Sequence, residues 1–248
     1  ALGTKWSAIY VLAALGLFLL IRDRKFLRTP IQFGVTPLLM YLASWTGWFL
    51  SNDGWSRNHS SNALASLIHY HREMLNFHTG LTTDHSYQAS AWNWLVLGRP
   101  TSFFYATPNN CGSDSCSQEV LALGTPILWW AGLIALAITI GYFIYRRERS
   151  AGLTLLFLLS SYLPWLAFPE RTTFYFYAIA FQPFLVLTIV YVISKALEDE
   201  GKVKARRELA IAAIALIALC FAYFFPLYVG GVLSYDDWYA RMWFTSWI

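Results

Sequence analysis

Long apolar runs, each close to the length that crosses a bilayer, divide this chain. About six are present: Leu2–Ile21, Gly34–Leu50, Leu121–Ile144, Ala151–Phe168, Thr172–Ile193 and Leu209–Val229. A helix needs about 20 residues to span ~30 Å of hydrocarbon. Inside lipid every backbone N–H and C=O must find a partner within the protein, which restricts such runs to helices. Only 13% of the residues are charged, against about 25% in an average soluble domain. The expected fold is therefore all-α: a polytopic membrane helix bundle of about six transmembrane helices. Prolines 37, 126, 164, 183 and 226 fall within these runs, where neighbouring helices and water can satisfy the groups they free.

Basic residues set the orientation. Arg22, Arg24, Lys25 and Arg28 fill the first short loop; Arg146, Arg147 and Arg149 the next; Lys195, Lys202, Lys204, Arg206 and Arg207 the last. Twelve of the 18 basic residues thus fall on one face, read as cytoplasmic. The remaining six are spread over far more chain. Both ends and the long segment Ser51–Val120 are then extracytoplasmic. The formal charge of +4 is explained by these topology signals, and no nucleic-acid partner is expected. The expected organisation is 1–50, two transmembrane helices; 51–120, an extracytoplasmic loop; and 121–248, a four-transmembrane-helix C-terminal domain with a short outer tail. The chain opens on Ala1 without an initiator Met or a signal peptide, and is read as a fragment lacking its amino-terminal part.

Within 51–120, Leu64, Leu67, Ile68, His71, Met74, Leu75, His78 and Leu81 recur at helical spacing. They predict an amphipathic helix, either lying in the membrane interface or packed on the mouth of the bundle. All five histidines lie between His59 and His85. His69 and His71 diverge on a helix, and His71 and His78 are about 10 Å apart along it, so neither pair chelates an ion. No metal site is expected. Cys111 and Cys116 frame "CGSDSC" on the oxidising face, which predicts a local disulfide; Cys220 stands alone in the last run. Ser234-Tyr235-Asp236-Asp237 has the form of a capping box opening a short helix.

The outer hairpin "PERTTFYFY" places Arg171 at a membrane boundary beside Phe174, Tyr175, Phe176 and Tyr177. An Arg there can offer paired N–H donors to a lipid-linked phosphate, with aromatic rings against the lipid chain. Equally, it can snorkel or pair with Glu170.

The run "HSYQASAWNWLVLGRPTSFFY" (85–105) resembles the signature of the protein O-mannosyltransferases, with His85, Tyr87, Gln88, Trp92, Trp94, Arg99 and Pro100 fitting the pattern. "ERTTFYFY" resembles that family's later Arg-x-x-Phe motif, and "CGSDSCSQEVLALGTPILWW" resembles its bacterial branch. The resemblance implies the C-terminal part of a multi-span GT-C type glycosyltransferase with inverting chemistry in the plasma membrane. It further implies a polyprenyl-phosphate-mannose (or dolichyl) donor as substrate and a Ser/Thr hydroxyl of a protein as acceptor. Arg171 is then the donor-phosphate ligand, and His85, Tyr87, Gln88 and Arg99 are candidates for the substrate-facing surface. Membrane lipid and the amino-terminal half of the same enzyme are the other implied partners. Three departures matter. Ala89 stands where the family usually has Ser. The segment 51–120 is too short for the β-rich MIR insertion of eukaryotic members. The family's acidic catalytic motif lies in the amino-terminal half, so no catalytic residue is expected in this stretch. No cofactor is implied, and metal dependence stays open. The alternatives are a related lipid-linked glycosyltransferase with a glycolipid acceptor, and a non-enzymatic scaffold or transporter. Transport is disfavoured by the scarcity of ionisable residues at bilayer depth.

Overall fold

A computed structural model of the chain describes residues 2–24, 26–109, 111–198 and 203–248. Lys25 and Lys202 of the basic loops lie outside the described residues. The chain forms two compact units, Ala1–Thr83 and Asp84–Ile248.

In the first unit, α1 (Ala8–Asp23) ends where Arg24 adopts a left-handed conformation, φ 51°. The returning helix starts at Arg28–Pro30, passes through a π-helical turn at Ile31–Val35 and continues as α2 (Thr36–Ser44) and Thr46–Leu50. The amphipathic helix predicted from spacing is present as α3 (Ala63–Gly80). Asn62 caps it by accepting the N–H groups of Leu64 and Ala65. Ser66 and Leu67 are buried, while Leu64, Ile68 and Leu75 stay exposed. His71 is held at both ring nitrogens: Nδ1 lies 2.7 Å from the Leu67 carbonyl oxygen and Nε2 2.7 Å from the Tyr41 hydroxyl. A carbonyl only accepts, so neutral His71 carries its proton on Nδ1 and Tyr41 donates to Nε2. His59 and His69 stack at 3.5 Å.

The second unit holds α4 (Ala91–Leu95), β1 (Thr101–Ala106), β2 (Cys116–Ala122), α5 (Pro126–Arg146), α6 (Arg149–Tyr162), α7 (Gln182–Leu197), α8 (Val203–Val229), β3 (Val232–Ser234) and α9 (Tyr235–Tyr239). Among the described residues three helical stretches are long and apolar enough to cross a membrane: Pro126–Arg146, Arg149–Ala167 and Val203–Val229. α7 is a shorter apolar helix. Prolines help to place the starts: Pro126 and Pro183 stand in the first turns of α5 and α7, where a missing N–H costs nothing. The expected run Thr172–Ile193 is thereby divided. Tyr175–Ala180 forms a 3₁₀ turn before α7 begins.

α5 and α7 meet at a small residue. A Cβ at Gly132 would lie 2.5 Å from Leu185 Cγ. At the same crossing the buried Thr188 hydroxyl reaches the Gly132 carbonyl at 3.2 Å and the Leu185 carbonyl at 2.6 Å. Close approach at a small residue is how apolar helices gain packing energy when lipid offers no hydrophobic drive.

The helical class agrees with the expectation, but a three-stranded antiparallel sheet in the order β1-β2-β3 accompanies it. Leu121 and Ala122, expected in a helix, belong to β2. Cys111 and Cys116 are joined in a disulfide at the turn into β2, and Cys116 pairs with Ser234 of β3. Ser234 also caps α9 through the Asp237 N–H, as its spacing predicted. Beside the sheet, the buried Glu119 accepts the Trp238 indole N–H at 2.7 Å, which ties the tail to β2.

Candidate functional site

Two stretches that are far apart in the sequence meet in the second unit. After the 3₁₀ turn Leu163–Ala167 the chain reverses, with the Arg171 N–H donating to the Phe168 carbonyl at 3.2 Å. Thr172–Phe174 then runs extended against Gln88–Ala89. Gln88 and Phe174 form an antiparallel bridge, and the Ala89 N–H donates to the Thr173 carbonyl at 2.8 Å. The buried Thr173 hydroxyl donates back to the Ala89 carbonyl at 2.7 Å, and the Trp94 indole N–H donates to the same carbonyl at 3.0 Å. One buried carbonyl therefore holds together the 85–105 stretch and the Arg171 hairpin.

Trp94 sits on α4 and is fully buried. Its ring meets Trp165 at 5.7 Å and Tyr177 at 6.0 Å between centroids. The Arg171 guanidinium carbon lies 5.5 Å from the Trp165 ring centroid and 5.8 Å from that of Tyr177. A cation over aromatic faces is attracted by their negative quadrupoles. These two rings help to orient the guanidinium.

The neighbouring turn is held by its own residues. The Gln88 N–H donates to the His85 carbonyl at 2.8 Å, and Gln88 Oε1 accepts the His85 N–H at 3.2 Å. The Tyr87 N–H donates to His85 Nδ1 at 3.1 Å. That nitrogen must be bare, so a neutral His85 carries its proton on Nε2. The exposed His85 ring stands edge-on to Phe174 at 5.0 Å. The turn thus presents an imidazole N–H donor beside the hairpin.

Tyr87 and Arg99 form a separate cluster. The Arg99 guanidinium carbon lies 4.9 Å from the Tyr87 ring centroid. Its Nε donates to the Ser86 carbonyl at 3.1 Å, and Nη1 donates to the backbone oxygens of Ser246 and Ile248 at 2.6 and 2.5 Å. The Trp247 indole N–H joins this strap through the Leu97 carbonyl at 2.6 Å. Buried Leu97 adopts a left-handed conformation, φ 58°, which for a leucine is strained; it turns the chain into Gly98-Arg99-Pro100. Ala89 is 2% exposed, so its side chain presents no surface to a ligand. Of the five histidines, His85 alone belongs to this unit.

From Tyr177 the rings continue. Phe176 lies 4.9 Å from Tyr177, 5.5 Å from Phe174 and 5.4 Å from Phe103. Phe176 and Phe103 border an apolar cleft of about 390 Å³ that Tyr175, Ile179 and Tyr228 also line. Among the described residues no group of three or more His, Cys, Asp or Glu is placed to hold a metal ion. Arg171, His85 and Gln88 were legible in the sequence as candidates and Trp94 as part of the 85–105 motif, but not the platform that Trp94 forms with Trp165, nor the Thr173 link. For Trp165 and Thr173 the signal was the concentration of aromatic residues on either side of the hairpin.

Residues 63–247 match the family described as the C-terminal four TMM region of protein-O-mannosyltransferase. The whole chain aligns with the polyprenol-phosphate-mannose–protein mannosyltransferases of Corynebacterium glutamicum (29% identity, 55% of the relative's length), Mycolicibacterium smegmatis (29%, 56%) and Mycobacterium tuberculosis (28%, 55%). The chain thus spans about half the length of these curated relatives. The S. cerevisiae protein O-mannosyltransferase Pmt1-Pmt2 complex bound to the sugar donor superimposes with a TM-score of 0.58 at 20% identity, over 76% of this chain and 27% of that one. That likeness concerns the fold. The chain belongs to the protein O-mannosyltransferase family and carries its C-terminal four-span membrane region.

Proposed function

We propose that this chain is the C-terminal part of an integral-membrane glycosyltransferase. It moves mannose from a polyprenyl-phosphate-mannose donor to Ser/Thr hydroxyls of proteins on the extracytoplasmic side of the plasma membrane. The observation that carries the reading is the junction at the Ala89 carbonyl, which seats the His85–Gln88 turn beside the Arg171 hairpin.

In this reading Arg171 binds the donor phosphate. The phosphate is the leaving group, and its negative charge grows as the bond to the sugar breaks. A cation already fixed there stabilises the transition state more than the ground state. The rings of Trp165 and Tyr177 supply the fixing. His85 Nε2–H and the Gln88 amide offer further donors beside it, and the polyprenyl chain runs past Phe176 into the apolar cleft. Arg99 acts at one remove, by strapping the turn to the tail. The acceptor hydroxyl needs a base. The family resemblance puts that base in the half of the relatives that this chain does not span. The long loop and the tail lie outside, in agreement with the basic residues on the opposite face.

The test uses the complete polypeptide in membranes with labelled polyprenyl-phosphate-mannose and two acceptors, a Ser/Thr-containing peptide and a glycolipid extract. Mannosylated peptide is the expected product. Label in the glycolipid alone would overturn the reading in favour of a glycolipid-directed enzyme.

A further inference from the structure

β1 is an edge strand. It pairs with β2 on one side, from Thr101–Ala122 to Ala106–Gln118, and among the described residues the order β1-β2-β3 leaves its other side without a strand. No backbone hydrogen bond among the described residues reaches that outer side from another element. Ser102 Oγ meets the Phe104 carbonyl at 3.4 Å, a long contact that an incoming N–H can replace. Along an antiparallel strand every second residue directs its N–H and C=O to the open side.

Three side chains of this strand are exposed as well: Phe103 at 61%, Phe104 at 47% and Tyr105 at 45%. An uncovered edge bearing three consecutive aromatic residues promotes uncontrolled pairing, which proteins normally prevent with charges, prolines or a covering element. None of the residues Thr101–Ala106 is charged or proline. The register shifts between Ser102 and Phe104, and such a bulge re-aims a side chain. The Phe103 ring lies 5.4 Å from Phe176, within the line of rings that leads to Tyr177 and Arg171. The edge is therefore continuous with the site described above.

We infer that the open edge of β1 docks the acceptor polypeptide as an added, extended strand, with the Phe103–Tyr105 rings covering its side chains. This rests on the proposed transferase activity and specifies how the acceptor is held. An extended main chain is the partner that supplies alternating donors and acceptors at strand spacing. Main-chain pairing tolerates many sequences, so the edge selects unfolded segments around a Ser or Thr rather than a consensus.

The experiment uses the complete protein in lipid nanodiscs and an acceptor peptide of about ten residues carrying one threonine. The peptide is N-methylated at one backbone position at a time, and a photoreactive p-benzoylphenylalanine replaces Phe104. The expected result is alternation. N-methylation at every second position lowers crosslinking and raises the peptide KM about five- to tenfold, as loss of one net hydrogen bond predicts; intervening positions change little. Phe104→Ser is expected to weaken the peptide as acceptor and to leave transfer to N-acetyl-threonine methylamide unchanged. A flat N-methyl profile, equal losses for the two acceptors in Phe104→Ser, or capture of lipid instead of peptide would overturn the inference. Crosslinking needs no turnover. Alternating capture of the peptide without mannosyl transfer would therefore uphold the docking edge and overturn the proposed activity.

Discussion

The Ala89 carbonyl provides a quantitative handle on the junction between the two motifs. It is buried and accepts from both the Thr173 hydroxyl and the Trp94 indole. Thr173→Val removes one donor while keeping the branched shape. The carbonyl retains Trp94, so the cost is that of one net hydrogen bond, about 1 kcal/mol. Trp94→Phe removes the other donor and adds a packing loss, because the indole is fully buried. In the double variant the carbonyl loses both of these side-chain partners. A buried acceptor left unsatisfied costs about 1–3 kcal/mol, and neither single variant incurs that penalty. The cycle should therefore show a coupling of about 1–2 kcal/mol beyond the sum of the singles, with the packing loss cancelling. Denaturant unfolding of the four proteins in detergent micelles, followed by circular dichroism, measures it. In melting temperature the same coupling is worth about 2–8 °C for a chain of this size. Additivity within about 0.5 kcal/mol would refute the claim that this carbonyl joins the two stretches.

Gly132→Val should destabilise the α5–α7 crossing by about 1–3 kcal/mol, since even a Cβ would lie 2.5 Å from Leu185 Cγ; unchanged unfolding would refute the close approach. Glu73 is held below its ordinary value of 4.5, chiefly by the Ser56 hydroxyl and further by the Trp55 N–H and the nearby His69 and His59. A depressed carboxyl contributes stability that is present above the ordinary value and lost as pH falls through the lowered one. The fluorescence of Trp55, taken as wild type minus Trp55→Phe, should thus shift as the solution is acidified below pH 4.5, and Glu73→Gln should abolish that acid transition; a Trp55 signal indifferent to acid would contradict the anchor. Cys111→Ser with Cys116→Ser should lower stability by roughly 2 kcal/mol, the chain-entropy value for so small a loop. Two free thiols in non-reducing mass spectrometry of fresh wild-type protein would count against the bond.

Features governed by local rules could be read from the residues alone. The apolar runs gave the helical membrane class, the spacing from Leu64 to His78 gave α3, Ser234 gave the α9 cap and the pair of cysteines gave the disulfide. The sheet was obscured by its own hydrophobicity. Leu121–Leu123 reads as the start of a membrane run, yet Pro126 fixes the helix start, leaving Cys116–Ala122 free to pair. The run from Thr172 was divided for a similar reason: Thr172–Phe174 is drawn into pairing with Gln88–Ala89, a contact across 84 residues of chain that periodicity does not encode. The motif residues were visible as chemistry, but their grouping was not. His85 and Gln88 accompany Arg171, whereas Arg99 and Tyr87 belong to the strap on the tail. Only the tertiary path of the backbone separates these two sets.

The central claim, that the Arg171 hairpin binds the phosphate of a lipid-linked mannose, is tested most directly by donor-dependent mannosyl transfer in Arg171 variants of the complete protein, normalised to folded enzyme. A charged hydrogen-bonded contact is worth about 1.5–3 kcal/mol, so Arg171→Ala should lower kcat/KM for the donor roughly 10- to 100-fold. Arg171→Lys should recover part of the loss, because an ammonium supplies charge without the planar fork. Wild-type donor kinetics in Arg171→Ala, with only thermal stability reduced, would show that Arg171 anchors the hairpin and binds no phosphate.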